Sequence, residues 1–297
     1  MSSHKHPKGI RFLVRGLTIQ LERRSGDLTT LDLQTAFRFF LSLIMRSAIY
    51  QSHGLTSAKA VLAQARFVIS DIDGVLFDPT GCPVVGAAKL FASRPCALVS
   101  NNSTLTAKTI AKRFADGGAY ISQERIFLAG EYAVGIALKR FGSAPMLWLA
   151  SDEIGELAEK RLNEARSVGE AAGILICRDR TLTMEHLERI VNAVRSGAEV
   201  ILANPDFTHP EGENVRMETG AIWSAVSCQL ETACSPVLVG KPETLLAEEA
   251  LRMLGANRRE TVFLGDNPDT DGLTAQRLGV NFIHTGGRNG FPLAALM

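Results

Sequence analysis

Short runs of apolar and β-branched residues alternate with longer segments of helical spacing along most of the chain. Eight such runs predict strands: RFVIS (66–70), CALVS (96–100), PMLWLA (145–150), GILIC (173–177), EVILA (199–203), PVLVG (236–240), TVFLG (261–265) and VNFIH (280–284). Segments between them, such as TAKTIAKRFADGG and PETLLAEEALRMLG, end in glycine, a common stop for helices. Strands that alternate with helices predict an α/β fold with parallel sheets covered by helices on both faces.

The first 55 residues do not follow this alternation. The segment LDLQTAFRFFLSLIMRSAI is compatible with one amphipathic helix. Three interpretations stay open for it: a helix docked on the domain surface, an oligomer contact, or a segment before a later natural start, for instance Met45. We therefore describe residues 1–55 only as an N-terminal extension.

Composition narrows the class of protein. Hydrophobic residues make up 46% of the 297 positions and charged residues 21%, which is typical of a globular protein. The net charge of +1 gives no general electrostatic reason to bind nucleic acid or an anionic membrane. No apolar run reaches the roughly 18 residues that a membrane-spanning helix needs. We expect neither a nucleic-acid polymer nor a membrane among the partners.

The five cysteines indicate the compartment. They are scattered, form no C-x-x-C pair and no Cys/His cluster, and are odd in number. This pattern disfavours a zinc site and a disulfide framework, and it favours a reducing compartment. We therefore expect a cytoplasmic protein.

The stretch VISDIDGVLFD places Asp71 and Asp73 at the end of the first predicted strand of the alternation. Ligands of open parallel α/β sheets bind at the carboxyl ends of the strands. Side chains two residues apart point to the same side of an extended chain, so the two carboxylates should converge. Gly74 then allows the backbone to turn sharply. Taken alone, the same aspartates are also common turn formers.

Three other predicted strands end in polar groups. CALVS runs into Ser100 and Asn101, PVLVG into Lys241, and TVFLG into Asp266, with Asp271 five residues later. If these strands are neighbours, the clustered carboxylates need a divalent cation, and all-oxygen ligation suits Mg²⁺. The lysine and the hydroxyl are natural partners for a phosphate oxygen of the substrate.

In this order the motifs DIDGV, SNN, GKP and GDNPDTD resemble the four motifs of the haloacid dehalogenase-like superfamily. More narrowly, the chain is similar to its phosphatases with a large cap between the second and third motifs, the group of NagD, 4-nitrophenylphosphatase and pyridoxal phosphatase. The resemblance covers about residues 66–287. It implies a Rossmann-like parallel core with an inserted α/β cap, and Mg²⁺-dependent hydrolysis of a small phosphomonoester.

The resemblance also implies a role for each motif residue. Asp71 would be the nucleophile that forms an aspartyl-phosphate, and Asp73 the general acid and base. Ser100, with Asn101, and Lys241 would hold the phosphoryl group. The metal ligands would be Asp71, Asp266 and the backbone carbonyl of Asp73, and Asp271 would sit behind Asp266 or pair with Lys241.

About 140 residues separate the second and third motifs, which is enough for an inserted domain. We expect a core of residues 56–130 and 236–297 and a cap of residues 131–235 that excludes water from the site. The segment LANPDFTHP resembles a cap stretch that faces the active site. It implies that Asn204, Asp206 and His209 touch the leaving group, although the side chains of Asn204 and Asp206 could instead simply hold a turn.

Other functions stay open from the sequence alone. Within the superfamily the alternative is a phosphotransferase or phosphomutase. From another class, a phospho-acceptor module or a non-catalytic phosphate-binding protein would use similar residues. The sequence does not choose between nucleotides, sugar phosphates, phosphoglycolate and pyridoxal phosphate as substrates. A homodimer is compatible with the resemblance.

Overall fold

The computed structural model describes residues 10–14, 17–21, 54–211, 214–287 and 290–297. The chain divides into two compact units, Met1–Ser52 and His53–Met297. In the first unit the described residues form one antiparallel hairpin of β1 (Ile10–Val14) and β2 (Leu17–Leu21). The helix considered for residues 31–49 lies outside the described residues.

Strands and helices alternate through the described part of the second unit. The remaining strands there are β3 (Phe67–Ser70), β4 (Cys96–Ser100), β5 (Ile126–Leu128), β6 (Pro145–Leu149), β7 (Asn163–Glu164), β8 (Gly173–Ile176), β9 (Glu199–Leu202), β10 (Thr208–Glu211), β11 (Asn214–Met217), β12 (Val237–Leu238), β13 (Thr261–Gly265) and β14 (Asn281–His284). The α-helices there are α1 (Leu55–Gln64), α2 (Ala87–Ser93), α3 (Ala107–Asp116), α4 (Ala129–Phe141), α5 (Asp152–Arg161), α6 (Met184–Arg195), α7 (Thr219–Ser227), α8 (Leu245–Leu254), α9 (Leu273–Leu278) and α10 (Leu293–Leu296).

Two parallel sheets organise this unit. The first has the strand order β14-β13-β3-β4-β5, and the second has the order β12-β9-β8-β6-β7. The predicted α/β class with a parallel sheet is therefore confirmed. The strands β10 and β11 form a separate antiparallel hairpin in the stretch that links β9 to α7.

The connection between the sheets runs through α4 and returns after β12. The predicted cap of residues 131–235 contains β6 to β11, and β12 of the second sheet follows just beyond it. A buried cluster joins the two sheets: it contains Val99 of the first sheet, Ile201 of the second, and residues of α4 and α8 between them. The opposite face of each sheet is covered by a cluster of its own.

The helices end where glycine stops were predicted. Gly255 and Gly279 follow α8 and α9 in the left-handed conformation, with φ of 59° and 74°. Their N–H groups bond back to the last turn, which closes each helix. None of the described helices is long and apolar enough to cross a membrane.

Candidate active site

The site lies at the carboxyl ends of adjacent strands in the first sheet. β3 has β13 on one side and β4 on the other. Asp71 continues β3, and its N–H donates to the carbonyl of Leu264 at 2.8 Å, so it is held level with the end of β13. Asp266 follows β13 and Ser100 ends β4. The strand register therefore brings the first, second and fourth motifs together.

Lys241 lies between two aspartates. Its Nζ is 2.6 Å from Asp71 Oδ1 and 2.6 Å from Asp271 Oδ1, and all three residues are buried. Burial by itself would lower the pKa of Lys241, but Asp271 and Asp71 outweigh it and raise that pKa. The lysine is therefore a fixed positive charge next to Asp71, and Asp271 is its partner on the far side.

Asp73 lies at the open side of the site. Its side chain is exposed, with protein walls around it, and Ser100 Oγ donates to its Oδ2 at 3.5 Å. The protein atoms around the Asp73 carboxyl take the place of part of its hydrating water. This desolvation, followed by the negative charge of Asp71, raises the pKa of Asp73 to about 6. A carboxyl with this pKa is partly protonated near neutral pH, as a general acid must be.

Asp266 faces the backbone of the first motif. Gly74 has φ of +78°, and a Cβ built on it would lie 2.4 Å from Asp266 Oδ2, so only glycine fits there. Burial and the charge of Asp71 raise the pKa of Asp266 to about 6. His284 lies behind this residue, with Nε2 2.9 Å from the Asp266 carbonyl oxygen. No role for His284 could be predicted from the sequence.

The donor set fits a hard divalent cation. Carboxylate oxygens of Asp71, Asp266 and Asp271 all lie within 4.8 Å of one another. Burial raises the pKa of both Asp73 and Asp266, and the charge of Asp71 raises both further in spite of Lys241, so the carboxylates at this edge repel one another. Asp271 is fully buried against Lys241. The better metal ligands of this group are therefore Asp71 and Asp266.

The Asn101 side chain makes its hydrogen bonds to other protein groups. Its Oδ1 accepts the N–H of Lys241 at 2.7 Å, and its Nδ2 donates to the Lys241 carbonyl at 3.0 Å and to Asp206 Oδ2 at 2.9 Å. A Cβ on Gly240 would lie 2.4 Å from Asn101 Oδ1, so this close contact requires glycine. The described geometry therefore places Asn101 as a clamp on the lysine loop; its predicted role in phosphate binding stays a prediction.

Two of the predicted cap residues, Asn204 and Asp206, have different contacts. Asn204 is buried, and its Nδ2 donates to the Asn101 carbonyl at 2.8 Å while its Oδ1 accepts the N–H of Asp206 at 3.1 Å. Asp206 lies nearer the site, where burial raises its pKa in spite of the Asn101 hydrogen bond and the charge of Lys241. Asn204 therefore supports the loop that carries Asp206 to the site.

The third predicted cap residue, His209, belongs to a charged cluster. His209 Nδ1 lies 2.7 Å from Glu218 Oε1, and Arg178 Nε lies 3.7 Å from the same oxygen. The side chains of Arg178 and Glu218 are only 18% and 14% accessible. Glu218 and Arg178 are 40 positions apart in the sequence, so no local pattern predicts that they meet.

Comparisons with known proteins identify the family of the chain. The model of the haloacid dehalogenase-like hydrolase family matches residues 65–279. The 5'-nucleotidase YutF of Bacillus subtilis is 27% identical over 224 residues, which are 73% of this chain and 86% of the relative.

Two solved structures are similar in fold. A mutant of the thermostable p-nitrophenylphosphatase from Bacillus stearothermophilus has a TM-score of 0.62 and 25% identity, covering 75% of this chain and 88% of its own. NagD from E. coli K-12 has a TM-score of 0.64 and 24% identity, covering 77% and 89%. The predicted resemblance to the NagD group and the predicted phosphatase class are confirmed. The chain belongs to the haloacid dehalogenase-like hydrolase family.

Proposed function

We propose that the protein hydrolyses small phosphomonoesters with Mg²⁺ through a phospho-aspartate at Asp71. The observation that supports this most directly is the convergence of Asp71, Asp73, Lys241 and Asp266 at one sheet edge. Phosphoryl transfer needs mainly positioning and charge neutralisation, and this edge offers both.

Each residue has a task that follows from its position. Lys241 neutralises charge beside Asp71, so that an anionic phosphoryl group approaches the carboxylate with less repulsion. A carboxylate oxygen of Asp71 attacks phosphorus, and the bond from phosphorus to the leaving oxygen breaks. Asp73 gives its proton to that oxygen, then takes a proton from the water that hydrolyses the acyl phosphate. Ser100, hydrogen-bonded to Asp73, holds the phosphoryl group from the other side.

Asp71, Asp266 and the backbone carbonyl of Asp73 are the residues proposed to hold Mg²⁺. When bound, the ion supplies Lewis-acid neutralisation of the phosphate oxygens. The excess of carboxylates over ammonium groups at the site is the property of this chain that calls for such a cation. We retain residues 131–235, which contain β6 to β11, as the proposed cap.

The test is an assay of purified protein on p-nitrophenyl phosphate and a panel of phosphorylated metabolites, with Mg²⁺ and with chelator. The 5'-nucleotidase relative makes nucleoside monophosphates a natural part of the panel. We expect turnover with Mg²⁺, none after Asp71→Asn, and normal turnover in the control Asp116→Asn, whose carboxylate pairs with Lys112 on the exposed face of α3. Normal turnover by Asp71→Asn would contradict the nucleophile assignment.

Two further measurements separate hydrolysis from the alternatives. Mass spectrometry of acid-quenched protein should find one phosphoryl group on the Asp71 peptide during turnover. Release of inorganic phosphate at the rate of substrate loss would support hydrolysis, whereas a phosphorylated second product would indicate a phosphomutase or phosphotransferase. A stable phospho-protein without turnover would indicate a phospho-acceptor module. The homodimer and the cytoplasmic location stay predictions.

A further inference from the structure

The phosphate-site loop, residues 101–106, connects Ser100 to α3 through a chain of hydrogen bonds. Ser100 Oγ accepts the N–H of Asn102 at 3.1 Å. Asn102 Oδ1 in turn accepts the N–H of Thr104 at 3.1 Å and the N–H of Leu105 at 2.9 Å. Since these bonds extend along almost the whole loop, a displacement at its far end can reach Ser100.

The far end of this loop is held by Glu153, a residue of α5. The N–H and the hydroxyl of Thr106 both donate to Glu153 Oε2, at 2.9 and 2.6 Å, and the hydroxyl of Thr109 donates to Glu153 Oε1 at 2.8 Å. Thr106 directly precedes α3, where a threonine side chain usually caps its own helix, but here it makes no such bond. The carboxylate of another helix therefore binds this end of α3 from outside.

Glu153 belongs to the part of the molecule that is built around the second sheet. It lies in the first turn of α5, the helix that follows β6. Burial by itself would raise the pKa of Glu153, but the hydrogen bonds from Thr106 and Thr109 outweigh burial and lower that pKa. Glu153 is therefore an ionised acceptor at neutral pH, and a negative charge at the N-terminus of α3 is also favourable for the helix dipole.

Elements next to the second sheet also hold the middle of the loop. Ser103 Oγ accepts the N–H of Arg178 at 3.1 Å and lies 3.2 Å from Thr219 Oγ1. Arg178 lies just beyond β8, and Thr219 is the first residue of α7. The loop that begins after Ser100 therefore takes its position from the second-sheet side: Ser103 fixes its middle, and Glu153 fixes its end.

We propose that Glu153 is a positioning residue for Ser100, which it fixes through Thr106 and the phosphate-site loop. This rests on the proposed function, in which Ser100 holds the phosphoryl group. Both carboxylate oxygens of Glu153 are engaged by the two threonines, so its task is to fix the loop rather than to bind substrate. Without the carboxylate these donors lose their acceptor and release the loop, and a misplacement of about 1 Å can cost about 100-fold in rate.

The experiment is a double-mutant cycle of Glu153 and Ser100, with p-nitrophenyl phosphate and Mg²⁺. Glu153→Ala should lower kcat/KM by about 10- to 100-fold. In Ser100→Ala protein the same substitution should cost less than about 3-fold, because the hydroxyl that Glu153 positions is already absent. Losses that multiply in the double variant would overturn the proposal, since Glu153 would then act independently of Ser100.

Hydrogen exchange measures the same contact without catalysis. In Glu153→Ala protein the amides of residues 101–107 should exchange at least about 10-fold faster than in the wild type, because the Thr106 N–H has lost its charged acceptor. Glu153→Gln keeps an oxygen that accepts from Thr106 and an amide group that can donate to the Thr109 hydroxyl, so it should retain slow exchange and most of kcat/KM. Unchanged exchange in Glu153→Ala would overturn the proposal.

Thr106→Val tests the contact from its other side, also for the case that Glu153→Ala does not fold. It removes the hydroxyl bond to Glu153 and leaves the N–H bond in place. We expect a loss in kcat/KM of about 10-fold when Ser100 is present and none in Ser100→Ala protein. Wild-type kcat/KM in Thr106→Val, or the same loss in both backgrounds, would overturn the proposal.

Glu156→Ala is the matched control. Glu156 lies about one turn further along α5, is 69% accessible, and pairs with Lys160 at 3.1 Å. Its removal changes the charge of α5 by the same amount but leaves the phosphate-site loop untouched, so kcat/KM and hydrogen exchange should stay at wild-type values. Equal losses in the two alanine variants would indicate a general effect of charge on α5 and would overturn the proposal.

The outcomes also separate this proposal from the proposed function. If the wild-type protein turns over and Glu153→Ala matches it, the positioning role is refuted while the phosphatase function stands. If the wild-type protein hydrolyses no ester with Mg²⁺, the proposed function fails, and hydrogen exchange still decides whether Glu153 holds the loop.

Discussion

Replacement of Lys241 by methionine tests the charge balance on which the site depends. The ammonium lies 2.6 Å from both Asp71 and Asp271, and the side chains of the three are 3%, 10% and 0% accessible. Methionine keeps most of the apolar stem and removes only the charge, so the two carboxylates then face each other without a cation. Removing one partner of a buried ion pair costs roughly 3–5 kcal/mol, because it leaves charge buried and uncompensated.

This cost is large enough to measure by thermal unfolding in the presence of chelator. A loss of 1 kcal/mol lowers Tm by roughly 2–4 °C in domains of about 150–250 residues, so we expect a fall of about 6–20 °C. Lys112→Met is the control: its ammonium is 2.6 Å from Asp116, but the side chains are 73% and 63% accessible. Exposed pairs contribute about 0–1 kcal/mol, so Tm should hardly change.

The size of the fall in Tm of Lys241→Met should depend on pH. Burial raises the pKa of Asp271, and loss of Lys241 removes the positive charge that opposes this shift. A carboxyl whose folded-state pKa is raised destabilises the fold only at pH values at which it would be ionised in the unfolded chain. The deficit of Lys241→Met should therefore be largest near about pH 8 and shrink towards about pH 5 as the carboxyls take up protons.

A second substitution shows whether the loss comes from the orphaned charge. Asp271→Asn in the Lys241→Met background removes one of the two stranded carboxylates, so the double variant should be more stable than Lys241→Met alone. The reasoning is refuted if Lys241→Met unfolds within about 2 °C of Lys112→Met, or if the two site substitutions destabilise additively.

Three further substitutions test neighbouring parts of the site. In metal-free protein Asp266→Asn should raise Tm above about pH 6, because the native carboxylate is ionised there at a cost in folding free energy. Calorimetry should find that this gain in Tm disappears as the pH falls towards about 4. Added Mg²⁺ should stabilise the wild type more than this variant. Gly74→Ala should lower kcat about 100-fold, because its Cβ displaces Asp266, whereas Gly81→Ala, with φ of +80° and open space around it, should keep wild-type kinetics. Asn101→Ala should cost about 1–3 kcal/mol in urea unfolding by leaving backbone groups of Lys241 unpaired, and a stability unchanged within error would contradict the clamp.

Strand positions in the second unit could be predicted well, because buried parallel strands are short continuous apolar runs. β4 and β13 match the predicted segments CALVS and TVFLG residue for residue. The segment PVLVG forms only the two-residue strand β12, and it pairs with β9 in the second sheet. Apolar periodicity does not tell which of two sheets a strand joins, since both bury the same kind of side chain.

The β10–β11 hairpin was not predicted, for a physical reason. THPE contains proline, and NVRM exposes all four of its residues, so neither segment has the buried apolar face that marks a strand. The hairpin forms outside both large sheets, where each strand pairs only with the other. The hairpin carries His209, one of the predicted cap residues, and its pairing opposite Arg216 depends on register.

The meeting of Asp71, Ser100 and Asp266 at one sheet edge could be predicted, because the carboxyl ends of neighbouring parallel strands lie side by side. The contacts that position them could not. Asn101 reaches Lys241 across 140 positions, and Arg178 reaches Glu218 across 40, through loops whose paths no local pattern specifies. The sequence therefore predicts which groups meet at the sheet edge, and tertiary structure decides which of them hold the others in place.

The protein tolerates an unfavourable charge arrangement at its sheet edge. Four aspartates surround one buried ammonium, and two of them, Asp73 and Asp266, have pKa values raised to about 6. The carboxylates cannot reduce their repulsion by moving apart. Asp71 is fixed to β13 through its backbone, and Gly74 has no side chain that would push Asp266 away. Fold stability alone does not account for such carboxylates, so their presence in this chain indicates that the charge serves binding. A cation that completes this site should therefore stabilise the fold and prepare Asp71 for a phosphate in the same step.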